Sequence, residues 1–379
     1  MKKLLLALLP LFFFCAHAQA ESLGEALEST LETLPLREWQ EAYDRAFPQG
    51  EDFQTLILRL ARGDLRLDAE TLLRSMASRF LGSLMASAWR LARLIVPAVF
   101  CGVMQRLKAS FAKQALGEAL GAACFLLLAG CMAQDLGQHI LLAQDAVARM
   151  ADLMQALFPL LLTLLAAVGG TAGAAFFQPA VVAASGTMTA LVRSVTLPLA
   201  LAAGVTAILS HLSPRMKISR LSALFRTGAS WTLGVGFTVF ISVTTLQSLG
   251  AAAADGVSLR MAKYAVDHFV PVVGGMFADT MDTLVGASLL IRNALGLTGM
   301  LLLLSVAAVP MLQTLAAAML YRAGAALLEP LSDARGGACL QDFSDILMLL
   351  FVIQLSVGAM FLLLVAQMLV VGNLTVMLR

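Results

Sequence analysis

Residues 346–371 read ILMLLFVIQLSVGAMFLLLVAQMLVV, without one charged side chain. About 20 residues of helix cross the hydrocarbon core of a bilayer, so this run is long enough to span one. The rest of the chain has the same character: 59% of its 379 residues are apolar and 13% charged, with a mean hydropathy of +0.84. A soluble domain carries about 25% charged residues. A water-soluble core cannot use that much apolar surface, so lipid must cover it. The fold expected is all-α, a polytopic helical membrane protein with a small helical N-terminal head outside the cytoplasm.

At the other end of the chain, residues 1–20 have the layout of a secretory signal peptide. Lys2 and Lys3 form the charged start, Leu4 to Cys15 the apolar run, and Ala18-Gln19-Ala20 the small-residue cleavage site. The apolar run is too short for a span. Residues 21–80 follow as an acidic, extracytoplasmic helical region. From Glu21 to Glu70 there are twelve acids against five bases, half of the 24 acids in the protein. Apolar residues recur there at helical spacing, as in Phe53, Leu56, Ile57 and Leu60, and Phe47-Pro48-Gln49-Gly50 marks a break.

Residues 81–379 form the membrane domain. A first crossing enters lipid near Leu94 and a second runs from about Ala115 to Met132, opening onto an acidic segment from Asp135 to Asp152. One more lies near Ala229 to Leu249, two between Thr283 and Leu328, and the last at 346–371. The 153–210 stretch crosses an odd number of times, giving seven spans if once and nine if three times. Gly169, Gly170, Gly173, Pro179, Gly186 and Pro198 interrupt it. Irregular backbone at membrane depth must be buried in protein or face a wet cavity. Short basic loops stay in the cytoplasm. That rule puts residues 105–114 and 211–226 inside, and Asp135–Asp152, Asp255–Asp282 and Glu329–Asp345 are read as outside.

The chemistry-bearing residues are sparse. The 26 bases are spread among short loops, net charge is +2, and no basic face for nucleic acid results. HExxH, the P-loop and GxSxG are absent from the sequence, so no catalytic residue, metal or cofactor is expected. Cys101, Cys124, Cys131 and Cys339 lack paired spacing and read as structural thiols. Asp267-His268 are neighbours that point apart. Asp279 and Asp282, one helical turn apart, lack the further oxygen ligands a calcium site needs and read as a helix start or polar pore mouth. Arg193 and Arg292 sit inside apolar stretches, where a charge usually faces a bundle interior, a partner or water, or else snorkels to an interface. Glu118, Asp279 and Asp282 are their candidate partners. Val168-Gly169-Gly170 before Arg193 and Val273-Gly274-Gly275 before Arg292 hint at a repeat, although 29 glycines make such a recurrence easy by chance.

The segment from Lys263 through Val270-Pro271-Val272-Val273-Gly274-Gly275-Met276-Phe277-Ala278-Asp279-Thr280-Met281-Asp282, continued by Ser288-Leu289-Leu290-Ile291-Arg292-Asn293-Ala294-Leu295-Gly296, resembles the central signature of the stage III sporulation protein AE family. The resemblance implies a multi-pass protein of the mother-cell membrane around the forespore. It would act as a non-enzymatic subunit of a channel or secretion-like complex needed in endospore formation. The implied partners are other proteins of the stage III A operon, including the AA ATPase and the ring-forming AG and AH proteins, and indirectly the forespore stage II protein Q. An oligomer in the lipid bilayer follows, and Arg193, Arg292, Pro271, Gly274, Gly275, Asp279 and Asp282 become candidates for lining a path or an assembly contact. The alternative is a self-sufficient secondary transporter of a small solute, motivated by the interrupted helices.

Overall fold

The computed structural model describes residues 53–62, 114–167, 170–211, 218–269, 274–328 and 334–377, with short pieces between 40 and 92. The signal peptide, most of the head, the crossing expected near Leu94 and Pro271 lie outside the described residues.

Among the described residues, seven α-helices have defined bounds: α1 (Phe53–Arg62), α2 (Gln114–Ala167), α3 (Thr171–Leu191), α4 (Leu197–Ser210), α5 (Ser219–Phe269), α6 (Gly274–Leu328) and α7 (Ala334–Met377). A π turn, Val192–Thr196, joins α3 to α4. There is no strand among the described residues. Helices are what an apolar chain must form in lipid, because each backbone N–H and C=O then finds its partner within the segment. Five stretches are long and apolar enough to cross a membrane: Phe125–Ala167, Gly173–Ser210, Ser219–Ala251, Val285–Leu327 and Gly336–Asn373.

The centre of the bundle is the antiparallel pair of α6 and α7. Ser344 Oγ donates to Ala318 O at 2.8 Å, and the fully buried Gln354 Nε2 donates to Thr314 Oγ1 at 3.2 Å. Asn293 Nδ2 donates to Asn373 Oδ1 at 3.2 Å toward the far end. Such bonds between spans contribute only about 0.6 kcal/mol each, so their main effect is to fix register. Leu295, Leu302, Leu347, Leu350, Ile353 and Val357 fill the seam.

α2 runs parallel to α7. Cys339 Sγ lies 3.8 Å from Met132 Sδ, and Gly358 faces Met150 further along. α4 crosses both helices at Gly204, where an added Cβ would stand 2.6 Å from Leu136 Cδ2 and 3.3 Å from Ile346 Cγ2. α5 is tied to α4 by Ser222 Oγ donating to Ala203 O at 2.9 Å, and to α7 by Gln367 Nε2 donating to Thr245 Oγ1 at 3.3 Å. The amphipathic helix expected through Phe53 and Ile57 is α1, which packs on α6 with both residues buried.

The π turn has a sequence cause. Met188, Val192, Thr196 and Ala200 are all buried and lie four residues apart, against 3.6 per α-helical turn. Three such steps accumulate an excess of about one residue, which a π turn absorbs as a local bulge. Pro198 follows directly in the same continuous rod, and because it lacks the N–H that would bond the preceding turn it favours the widening there.

Three expectations need correction. The segment Asp135–Asp152 is the middle of α2 and not a loop between two crossings. The 283–328 stretch is one helix instead of two crossings, since α6 continues through Pro310. Consequently Asp342 and Asp345 lie at the same end as Arg226, with which Asp345 pairs, and not across the membrane from it. The acids misled the assignment, because Asp and Glu contribute little to sidedness.

Candidate functional site

Arg292 is the largest fully buried side chain among the described residues. It stands on α6, flanked by Ile291 and Ala294, and its guanidinium crosses to α7. Nη2 donates to Met368 O, and the group lies against Gly372, where an added Cβ would fall on the guanidinium itself. Nε and Nη1 have no hydrogen-bond partner among the described residues. An arginine stripped of water and incompletely bonded is costly in lipid. The site is therefore a strong, unspent donor set at the α6–α7 seam.

The carboxylates considered as partners are distant along the helices. Asp279 and Asp282 are on the first turns of α6, about 15–20 Å of helical rise from Arg292, beyond the reach of an arginine side chain on the same helix. Glu118 is on the opening turns of α2. α2 meets α6 where Tyr321 OH donates to Asp135 Oδ2 at 2.6 Å, and Arg292 lies about 44 Å further along α6. Glu118 is thus at the opposite end of the bundle. Gly274 and Gly275 open α6.

Arg193 has a different setting. It is exposed, on the π turn, between buried Val192 and exposed Ser194. Nearby, the hydroxyls of Thr189 and buried Thr196 have no partner among the described residues. One arginine buried on a regular helix and one exposed on a wide turn are unlike environments for the two halves of a repeat.

A second polar group closes the basic end of the bundle, and the sequence reading missed it. His211, at the end of α4, bonds Asp342 through Nε2 at 2.8 Å. Arg226 Nη1 pairs with Asp345 at 2.9 Å, and Arg322 Nη2 approaches the other oxygen of the same carboxylate at 3.5 Å. Tyr321 packs edge-on against Phe343 with ring centroids 4.8 Å apart. Four helices, α4 to α7, meet in this group. His139, read as a loop residue, is buried within α2, 3.7 Å from Asp135. Of the structural thiols, Cys339 is buried and Cys131 exposed, both free.

The family description "Stage III sporulation protein AE" matches residues 51–372. The chain belongs to this family. Stage III sporulation protein AE of Bacillus subtilis (strain 168) is 31% identical over 368 residues, covering 96% of this chain and 92% of the relative. The match takes in α1 and all but the last turn of the bundle, so the seam holding Arg292 lies within the family's shared body. This family member is an all-α polytopic membrane protein linked to sporulation. No solved structure matches the chain.

Proposed function

We propose that this stage III sporulation protein AE family member is a non-enzymatic membrane subunit of the mother-cell-to-forespore channel or secretion-like complex. It would sit in the mother-cell membrane around the forespore. Family membership across residues 51–372 carries the reading. The five apolar helices are in keeping with it, as is a buried arginine that fits assembly better than bond-breaking. Its partners would be the other stage III A operon products, the AA ATPase and the ring-forming AG and AH proteins among them, with the forespore stage II protein Q reached indirectly.

Basic residues set the orientation. Arg106, Lys108 and Lys113 precede α2, Arg215 and Lys217 join α4 to α5, and Arg220, Arg226 and Arg322 cluster at the same end. That end is cytoplasmic in this reading. With a signal peptide placing the head outside and one crossing near Leu94, single passes by α2, α3–α4, α5, α6 and α7 give six crossings. The C-terminus then lies outside.

Deletion of the gene in its native spore-forming host tests the function. Forespores that complete engulfment, then shrink and fail to switch on a late forespore-specific reporter, support a channel subunit. Normal forespores and full spore yield overturn it.

A further inference from the structure

The exposed faces of the bundle are not alike. On α5 the outward stripe is Trp231, Val235, Val239, Val243 and Leu246, interspersed with Thr238 and Ser242 whose hydroxyls bond carbonyls of their own helix, and on α7 it is Val352, Leu355, Leu363 and Val370, uncharged faces that lipid tolerates. On α2 the outward residues are Gln134, Gln138, Asp145, Arg149, Asp152 and Gln155, with exposed Leu141 the one large apolar interruption. At 100° per residue these six fall within an arc of about 120°. The opposite side of the same helix is core, with Met132, Leu136, Ala143, Val147, Met150 and Met154 buried.

Gln134 to Gln155 cover about 32 Å of helix, close to the hydrocarbon thickness. Met150 of α2 meets Gly358, the middle of the charge-free run 346–371 of α7, so most of the stripe lies at the depth of that run. Arg149 and Asp145 pair with each other across one turn while remaining 68% and 54% exposed.

We infer that the outward face of α2 is a wall of a water-filled path at membrane depth. Charges of both signs interspersed with amides are the composition of a wetted surface, and they are excluded from lipid. The path runs along the outside of the single-chain bundle. Polar, hydrated solutes are the class that such a wall admits. The inference rests on membrane placement and is independent of the sporulation setting, because its test reads thiol chemistry and not spore yield.

The experiment uses the full chain in native membrane vesicles, with the cysteines of the sequence replaced. Single cysteines are introduced by Gln138→Cys, Asp145→Cys and Gln155→Cys on α2, and by Val235→Cys, Val239→Cys and Leu246→Cys on α5. Equal rise along parallel helices, from the Arg226–Asp345 pair to the Gly358–Met150 contact, puts Val239 at the height of Arg149. The probe is a small, permanently charged, membrane-impermeant methanethiosulfonate, and denaturation in detergent shows that every thiol is present. The α2 thiols should react on the order of a hundredfold faster than the α5 thiols at matched height. Equal fast reaction at both sets overturns the proposal, since that band would then lie outside the bilayer. Silence at both sets also overturns it, since the α2 face would then be sealed in a dry contact.

Discussion

At the residue scale, Arg292 shows what a sequence can and cannot announce. A lone charge in Leu289-Leu290-Ile291-Arg292 stands out in the sequence because lipid penalises it. Its seat does not stand out, because the residues forming it, Met368 and Gly372, are far along the chain in an apolar run that looks uniform. Only Gly leaves room for the guanidinium, so Gly372→Val should overpack the seam and destabilise the bundle by about 1–3 kcal/mol, measured as a lower unfolding midpoint in detergent. Arg292→Ala should relieve that clash, and a double-mutant cycle reports the coupling. Arg292→Leu behaves otherwise. It removes incompletely bonded donors, so the protein should insert and fold with undiminished stability, while spore yield falls if the donors serve assembly. Normal spore yield from that variant would end the assignment of this site.

At the element scale, helices were legible and their junctions were not. Apolar runs mark the helical regions but not how many helices each holds, as 283–328 shows, and the acids of α2 read as a loop when their density is considered without their period. Asp145, Arg149 and Asp152 recur at three and four residues, the spacing of one helical face, and that signal was available. Likewise, Pro310 did not end α6. The π turn was half visible: the glycines and prolines of 169–198 announced irregularity, yet Pro179 continues within α3 and the irregularity falls at Val192–Thr196. The ion pairs at the basic end join residues more than 100 apart for Arg226–Asp345 and His211–Asp342, beyond any local pattern. Asp345 is partly solvated, and so is Arg226. Asp345→Asn should therefore cost at most about 1 kcal/mol, and the loss should shrink in high salt, as a salt series of unfolding midpoints would read.

At the scale of the whole molecule, orientation depends on whether each apolar region is one helix or two. Treating 283–328 as two crossings returns the chain to the cytoplasm at its end, and one α6 leaves it outside. A C-terminal alkaline phosphatase fusion should thus be active, with the same enzyme inactive when inserted between α4 and α5. The reverse pattern would mean that an odd number of crossings follows the head. The fold class was readable because lipid leaves the backbone few choices, whereas the count needed tertiary contacts.

The wide turn between α3 and α4 is, in the language of crystals, a dislocation: one surplus unit threaded into an otherwise periodic row. A dislocation can glide without melting the rows on either side. Moving it by one residue rotates the residue it passes by about 100° around the helix axis, while α3 and α4 keep their seats on α5 and α2. Arg193, beside buried Val192, stands where such a step would exchange an outward for an inward position.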